Sequence, residues 1–406
     1  MENNKITLYI PSEDVESDEI TENGSSKKGT KKKNQRKSRK WMFFSLIIIV
    51  AIIAVMILRV VVVFGDYEVR ATYSRSDTEE TAYFEFNNNL LKYSPDGASY
   101  STFTGDTIWT YTYDMTSPKM ANCGDYIVIY DAKGNEADLF STTGFLFSFV
   151  MNMNITDADV AGNGVVSLLL NDNGKGYIHL YNKEGQLAAS GELDPGNSGY
   201  ALDTALSSDG TNLAISLINL NGGNVTTDIN IYSFEEKLRQ STDHLIYQYS
   251  YADAVFPEID YVDSDRLLAI GDKEIAIFKK GAGSEKEIFE TQKMKSVFHN
   301  DSYVGIIIDG INENGQIVDV MKLYGLYGNT LFTKELDFSY ENIFMMDNDE
   351  IVLTNSKSAS IYSKFGIKKF STTFDGAVYN IIPSGILRNY YIIKENGMDE
   401  IRLIGD

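Results

Sequence analysis

Repeated strand and turn segments occupy the chain after residue 65 and restrict it to an all-β fold. Short runs rich in Val, Ile, Tyr, Phe and Thr alternate with polar turn clusters at intervals of about ten residues. The stretch DTALSSDGTNLAIS, from Asp203 to Ser216, predicts two strands joined by a tight turn, because its Asp-Gly pair can adopt the positive φ that such a turn requires. Two strands cannot bury a core alone, so this unit needs partners.

The partners are further copies of the same unit. Each copy reads as a strand, a polar turn, an apolar strand, a turn, a strand with tyrosine and a final strand. The unit from Asp203 also contains FEEKLRQSTDHLI, from Phe234 to Ile246, which predicts a short inserted helix. The eight units start at Ala82, Pro118, Asp157, Asp203, Ile259, Lys295, Asn342 and Val378.

Four-stranded units of about 40 residues are typical of a β-propeller, in which each sheet covers the face that its neighbour would otherwise expose. The last unit, from Val378, has only three strands, and YEVRATYS, from Tyr67 to Ser74, is a strand without a unit. We therefore predict an eight-bladed propeller, with seven blades as the alternative, whose final blade is completed by the first strand. A sandwich of two sheets would not need eight similar units.

A membrane anchor is predicted before the propeller. The run from Trp41 to Phe64 has 24 residues, which span about 36 Å as a helix, and the hydrocarbon core of a bilayer is about 30 Å thick. Arg59 lies near the far end of the run, where its side chain can reach the head groups. The run is longer than the apolar core of a signal peptide, and no small-residue cleavage site follows it.

The charges around this run predict its orientation. Nine Lys and Arg residues lie just before it, within residues 27–40, which places the N-terminus in the cytoplasm and the propeller outside. The predicted organisation is a disordered cytoplasmic tail over residues 1–40, a transmembrane helix over 41–64 and an extracytoplasmic propeller over 65–406. The residues expected at the membrane interface are Lys37, Arg39, Lys40, Trp41 and Arg59.

The net charge of the propeller segment argues against nucleic acid as a partner. Residues after Phe64 carry 50 acids and 25 bases, whereas nucleic-acid binding depends on Lys and Arg. The single cysteine, Cys123, excludes an internal disulfide and a cysteine-built metal site, and we expect it to be a small buried residue.

The whole arrangement resembles an uncharacterised family of single-pass bacterial envelope proteins with an extracytoplasmic propeller of the WD40-like or quinoprotein-like type. The resemblance covers residues 41–406. It rests on the anchor and on the stretches GDTIWTYTY (from Gly105), DVAGNGVVSLLL (from Asp159) and ALDTALSSDGTNLAIS (from Ala201). The family has no established active residues, so the resemblance assigns no catalytic residue and no cofactor.

Quinone chemistry is not expected. Quinoprotein propellers share the Gly-x-x-x-Trp ending seen at Gly105 and Trp109, but those enzymes resemble one another in repeated tryptophans and adjacent cysteines. Trp109 is the only tryptophan outside the apolar run, and Cys123 has no neighbouring cysteine.

Carboxylates near the central channel are the main candidates for chemistry. Asp157, Asp203 and Asp260 lie on predicted innermost strands and could approach one another, as hydrolysis by paired carboxylates requires. With 50 acids in this segment, solvated loop acids are the favoured interpretation. Three scattered histidines give no metal-ligand spacing: His179, His244 and His299.

Three Asn-, Asp- and Gly-rich loops offer oxygen ligands for calcium, but none has the twelve-residue pattern of an EF-hand loop, and hairpin turns favour the same residues. These loops are NDNGKG (from Asn171), DGINENG (from Asp309) and DNDE (from Asp347). No metal site is therefore predicted.

The function expected from the sequence is a membrane-anchored binding or scaffolding module for an envelope protein, peptide or glycan. The alternative is a carboxylate-dependent hydrolase or lyase that acts on an envelope polymer. A third hypothesis, that the anchor and the acidic tail relay a signal inward, stays open.

Overall fold

The described part of the computed structural model comprises residues 44–50, 62–74, 80–220, 223–235, 244–279, 284–289, 294–386, 388–395 and 397–405. Within these ranges lie 32 strands in eight four-stranded sheets. Every pairing between neighbouring strands of a sheet is antiparallel. The all-β prediction is therefore confirmed, and each sheet corresponds to one predicted unit.

Seven sheets are formed by four consecutive strands. Blade 1 comprises β2 (Ala82–Phe86), β3 (Asn89–Ser94), β4 (Gly97–Ser101) and β5 (Thr107–Thr112). Blade 2 comprises β6 (Pro118–Cys123), β7 (Tyr126–Asp131), β8 (Glu136–Ser141) and β9 (Gly144–Val150). Blade 3 comprises β10 (Asn154–Val160), β11 (Val166–Asp172), β12 (Lys175–Tyr181) and β13 (Leu187–Leu193). Blade 4 comprises β14 (Tyr200–Leu206), β15 (Asn212–Asn219), β16 (Thr226–Ser233) and β17 (Leu245–Ala252).

The remaining blades follow the same order. Blade 5 comprises β18 (Glu258–Tyr261), β19 (Arg266–Ile270), β20 (Glu274–Lys279) and β21 (Ser284–Phe289). Blade 6 comprises β22 (Met294–His299), β23 (Tyr303–Ile311), β24 (Ile317–Gly325) and β25 (Thr330–Glu335). Blade 7 comprises β26 (Asn342–Met345), β27 (Glu350–Thr354), β28 (Ser358–Ser363) and β29 (Lys368–Thr373). Blade 8 comprises β30 (Val378–Pro383), β31 (Asn389–Lys394), β32 (Gly397–Ile404) and β1 (Asp66–Ser74).

Blade 8 joins the two ends of the described chain. Its strand order is β1, β32, β31, β30, and β1 pairs with β32 from Asp66 opposite Ile404 to Ser74 opposite Gly397. Thr72 Oγ1 also donates a hydrogen bond of 2.8 Å to Asp399 Oδ1 across this pair. The predicted completion of the last blade by the first strand is confirmed, and so is the count of eight blades.

Apolar side chains fill the spaces between neighbouring blades rather than one central core. Eight buried clusters exist among the described residues, one for each pair of adjacent blades. The cluster between blades 8 and 1 includes Ile393 and Leu90, and Phe103 stacks on Tyr391 with 4.2 Å between ring centroids. Because this last junction is packed like the other seven, the ring is closed.

The hairpin from Asp203 to Ser216 folds as its sequence predicts. β14 and β15 pair in register up to Leu206 opposite Leu213, and the Gly210 amide donates to the Ser207 carbonyl at 2.7 Å. Gly210 has φ of +69°, which glycine adopts without steric cost. The Asp209 side chain accepts hydrogen bonds from Ser207 and Thr211 and so fixes the turn.

The turns divide the ring into two faces. In an antiparallel meander, the turns from the first to the second strand lie on one face, and those from the second to the third lie on the other. The first set touch one another: Asn87 Nδ2 donates to Gly124 O, and Asn163 Nδ2 donates to Asp209 O. We call this the entry face, because the chain enters β1 beside it at Phe64, and we call the opposite one the hairpin face.

Two predictions fall largely outside the described residues. Of the predicted transmembrane span, residues 44–50 are helical, and 41–43 and 51–61 are not described. No helix in the described ranges has both the length and the apolar character needed to cross a bilayer. Of the helix predicted from Phe234 to Ile246, residues 236–243 are not described, Phe234 is not helical, and Leu245 and Ile246 belong to β17.

Candidate functional site

Carboxylates on the innermost strands of blades 3 and 4 hold neighbouring blades together. Asp157 on β10 accepts a hydrogen bond of 3.0 Å from the Tyr130 hydroxyl of blade 2. Its other oxygen accepts from Thr204 of blade 4, both from the amide at 3.2 Å and from the hydroxyl at 2.9 Å. One side chain therefore bridges three blades.

Asp159 and Asp203 repeat this bridging. The Leu206 amide of blade 4 donates to Asp159 Oδ2 at 2.6 Å. The Ile259 amide of blade 5 donates to Asp203 Oδ2 at 2.7 Å. Because these acids lie on strands and accept backbone N–H groups, the interpretation of Asp157 and Asp203 as solvated loop acids is wrong. The sequence missed this role because the donors belong to other repeat units.

Burial makes Asp159 and Asp203 hard to ionise. It raises the pKa of Asp159 to about 8, although the hydrogen bond from Leu206 lowers this pKa and the charge of Asp260 raises it again. The pKa of Asp203 is also raised, first by burial and then by the neighbouring charge of Asp157. The charge of Asp157 beside it therefore disfavours ionisation of Asp203.

Blades 5 and 6 add a histidine between two acids. His299 at the end of β22 lies 3.6 Å from Glu258 Oε1 through Nε2 and 3.7 Å from Asp260 Oδ2 through Nδ1. Burial lowers the pKa of His299, but Glu258, Asp260 and Asp301 together raise it above its ordinary value. Burial raises the pKa of Asp260. The third predicted acid thus lies beside the histidine, and its charge also acts on Asp159.

Three further acids, Asp301, Asp347 and Glu85, extend this group of carboxylates toward the entry face, and we call the whole group the acidic band. Asp301, in the turn after β22, has a raised pKa through burial and through the charges of Asp260 and Asp347. Asp347, in the turn after β26, has a pKa raised by burial and contributes to the raised pKa of Glu85 on β2. Through these charge effects, acids from blades 1, 5, 6 and 7 influence one another near the entry face.

No metal centre accompanies this band in the part of the chain that the structure describes, where no group of three His, Cys, Asp or Glu side chains could hold an ion. The three loops considered for calcium form hairpin turns. In one of them the side-chain oxygen Oδ1 of Asn312 accepts from the amides of Asn314 and Gln316 at 3.0 Å. In another, Asn348 accepts from the Glu350 amide at 3.1 Å.

The other residues considered from sequence have structural surroundings. Trp109 stacks on Phe140 of blade 2 with 5.1 Å between ring centroids, so it docks two blades. His179 lies 3.1 Å from the Tyr181 hydroxyl, and buried His244 lies 3.2 Å from the Ser233 carbonyl. Cys123 is half-buried rather than fully buried, and burial raises its thiol pKa to about 11.

The five predicted membrane-interface residues lie outside the described ranges, so the structure does not test their placement. They are Lys37, Arg39, Lys40, Trp41 and Arg59.

Blade 6 carries an apolar feature that the sequence analysis did not single out. Its second and third strands have nine residues each and end in a pair, Ile311 opposite Ile317, on the hairpin face. Both isoleucines are 76% exposed. Lys295 bridges Asp309 and Asp319 at 2.6 and 2.7 Å near the base of this hairpin. The signal in the sequence is IIIDGINENGQIVDV, in which apolar residues continue up to both sides of the turn.

Comparisons with known proteins place the chain by fold and by family. Residues 60–403 match the model of DUF5711, a family of unknown function. No curated protein matches the chain.

Among solved structures, BamB from Moraxella catarrhalis has a TM-score of 0.51 at 13% identity and matches over 84% of this chain and 98% of its own. The C-terminal WD40 domain of Sif2 has a TM-score of 0.55 at 12% identity over 84% and 99% of the two chains. A eukaryotic initiation factor has a TM-score of 0.53 at 12% identity over 82% and 87%. At these identities the likeness shows the fold.

Proposed function

Because this chain belongs to the DUF5711 family, whose function is unknown, we propose its function from its own structure: it is a membrane-anchored propeller that binds a protein partner in the cell envelope. The ring lies outside the cytoplasm and acts as a scaffold. A peptide or a glycan is a less favoured ligand, since the exposed feature that carries the proposal is apolar.

The anchor is supported by the apolar run and its charges. Without residues 62–64 the apolar run still has 21 residues, 41–61. As a helix they would span about 31 Å, which matches a bilayer core of about 30 Å. The nine basic residues before the run favour a cytoplasmic N-terminus. Phe64 is 5% exposed and packs against blades 7 and 8, so we place the end of the anchor before Val62.

The position of Phe64 sets which face of the ring points away from the membrane. Its amide donates to the Lys369 carbonyl at 2.7 Å, and its ring lies 5.1 Å from the Arg388 guanidinium, in the turn between β30 and β31. That turn belongs to the entry face, so the entry face is next to the anchor. The hairpin face then points away from the bilayer.

The single observation that carries the proposal is the exposed pair Ile311 and Ile317. Two large aliphatic side chains at the end of a long hairpin cost free energy in water, about 25 cal/mol for each Å² of apolar surface that stays exposed. Such surface, rimmed by charges, is typical of protein docking sites. The Lys295 bridge ties the two strands together near the base of the hairpin, and a restrained hairpin loses less entropy on binding.

The hydrolase alternative receives less support from the channel. The oxygens of Asp157, Asp159 and Asp203 accept hydrogen bonds from the backbone of neighbouring blades, which is a structural use of these carboxylates. A raised pKa at a buried ion network does not by itself indicate catalysis. Turnover of an envelope polymer by the purified chain, lost in Asp203→Asn, would favour the enzyme instead.

A photo-crosslinking amino acid at Ile311 in the full chain tests the proposal in intact cells. We expect a discrete adduct with one envelope protein after irradiation. The control position is Leu187 on β13, which is 43% exposed but lies on an outermost strand of blade 3, and it should give no adduct. Equal labelling from both positions, or none from Ile311, would contradict the proposal.

A further inference from the structure

A cleft on the entry face lies where blades 7, 8 and 1 meet. Its volume is about 210 Å³, which suits a small ligand rather than a macromolecule. Its lining includes Phe64, Glu85, Asp347, Glu350 and Arg388. The cleft is separate from the exposed hairpin of blade 6, which lies on the other face.

The floor of the cleft is a buried and fully bonded ion pair. Glu350 and Lys369 are both buried and form a salt bridge. The second oxygen of Glu350 accepts from the Tyr390 hydroxyl at 2.7 Å and from Asn348 Nδ2 at 2.9 Å. Because the two charges neutralise each other and the carboxylate is saturated, this floor is rigid and has no free charge to offer a ligand.

The walls carry charges without partners. Arg388 is half-buried, its guanidinium lies over the Phe64 ring at 5.1 Å, and no carboxylate of the described residues forms an ion pair with it. On the other side, neither Glu85 nor Asp347 has a hydrogen bond or ion pair with any described side chain. A half-buried guanidinium, the half-buried Glu85 and the exposed Asp347 therefore line one cleft with no ion pair among the described side chains.

The charge balance restricts what can fill the cleft. Burial, with the charge of Asp347 added, raises the pKa of Glu85 to about 7, and burial raises the pKa of Asp347. Glu85 is therefore only partly ionised at neutral pH, and its proton is held more loosely when a positive group lies beside it. A planar guanidinium binds a carboxylate through two parallel hydrogen bonds, and an ammonium group donates three.

We propose that this entry cleft binds a small zwitterion with one ammonium and one carboxylate group, that is, an amino acid or a short peptide. Arg388 binds the carboxylate, and Glu85 and Asp347 accept hydrogen bonds from the ammonium. The Phe64 ring holds the guanidinium in place. The site thus adjoins the segment by which the chain enters the ring, and it is independent of the partner proposed for the hairpin face.

Calorimetric titration of the full chain in mild detergent tests the charge requirement. The probe is glycylglycine, and each charge is removed in turn with N-acetylglycine, which lacks the ammonium, and glycinamide, which lacks the carboxylate. We expect glycylglycine to bind and each half-ligand to bind at least tenfold more weakly. Phosphoethanolamine represents a lipid head group, and tighter binding of this compound would overturn the assignment.

Substitutions of Arg388 and Asp347 test whether these two side chains bind the ligand. Arg388→Asn, in which asparagine tolerates the φ of +73° at this position, should weaken glycylglycine binding at least tenfold, and Asp347→Asn should do the same. The matched control is Arg402→Asn, an exposed arginine of β32 that does not line the cleft. Unchanged thermal unfolding would show that each variant is folded. Absence of glycylglycine binding to the original chain, or equal binding by folded Arg388→Asn, would overturn the proposal while leaving the crosslinking result from Ile311 unaffected.

Discussion

At the residue scale, Asp138 shows the cost of a charge without a partner. It lies on β8 with 0% of its surface exposed, and neither carboxylate oxygen is in a hydrogen bond within the described structure. Burial raises its pKa to about 6; the side chain of Ser148, opposite it on β9, lowers this pKa only in part because it makes no well-formed hydrogen bond to the carboxylate. Its charge also raises the pKa of Tyr111 and Tyr113, after the larger effect of burial.

The sign of the pH dependence follows from this raised pKa. The folded state holds the proton more tightly than the unfolded state, whose Asp pKa is about 3.9. The contribution of protonated Asp138 to the stability of the folded state is fully present below about pH 3.9 and is lost as the pH rises through about 6. The full loss corresponds to about 3 kcal/mol, at about 1.4 kcal/mol for each pKa unit.

Replacement of this carboxyl by an uncharged amide should therefore stabilise the protein at high pH. We expect Asp138→Asn to raise the free energy of unfolding by about 3 kcal/mol at pH 8 and by about half of that at pH 5. Urea unfolding followed by circular dichroism measures both values. Exposed Asp114→Asn is the control and should change neither. A gain for Asp138→Asn that is the same at both pH values would contradict the ionisation argument.

At the element scale, the segment before β1 belongs to the propeller rather than only leading to it. Phe64 packs in the cluster between blades 7 and 8, with Val62 and Tyr67 beside it. Tyr67 contacts Phe370 edge-on, with 6.1 Å between ring centroids, and lies 5.5 Å from Phe374. The strand that closes the ring is therefore held by packing as well as by its pairing with β32.

Phe64→Ala should destabilise the ring by about 3–5 kcal/mol, because it removes a buried ring and leaves a cavity. The midpoint of urea unfolding measures this loss. Phe365→Ala is the matched control, since Phe365 is 55% exposed, and it should change stability by no more than about 0.5 kcal/mol. Equal effects of the two changes would mean that the entry segment does not pack as described.

The repeat could be predicted from the sequence because its signals are local. Asp209 and Gly210 define a turn by themselves, and the unpaired strand from Tyr67 to Ser74 matches the missing strand of the unit from Val378. Phe64 could not be assigned in the same way. Hydrophobicity alone does not distinguish a residue that faces lipid from one that packs between two blades.

The candidate sites depend on contacts between distant residues. Glu85, Asp347 and Arg388 come from three blades, and only closure of the ring brings them to one cleft. Asp157 was considered from sequence, but its three donors lie on two other units. The pattern within a unit contains no information about such contacts.

At the scale of the whole molecule, closure of the ring and the place where the chain enters it determine how the protein is presented. The first strand completes the last blade, so Phe64 and the entry cleft lie on one face and the exposed hairpin of blade 6 lies on the other. Together with the proposed anchor, this arrangement holds the hairpin away from the bilayer. Our central claim is that the anchored ring displays this hairpin outside the cytoplasm.

Labelling of single cysteines in intact cells tests this claim most directly. Cys123 is first replaced by serine, and Ile311→Cys and Ser25→Cys are then introduced separately into the full chain. We predict that a membrane-impermeant maleimide labels Ile311→Cys in intact cells and labels Ser25→Cys only after the membrane is permeabilised. Labelling of Ile311→Cys only after permeabilisation would contradict the account.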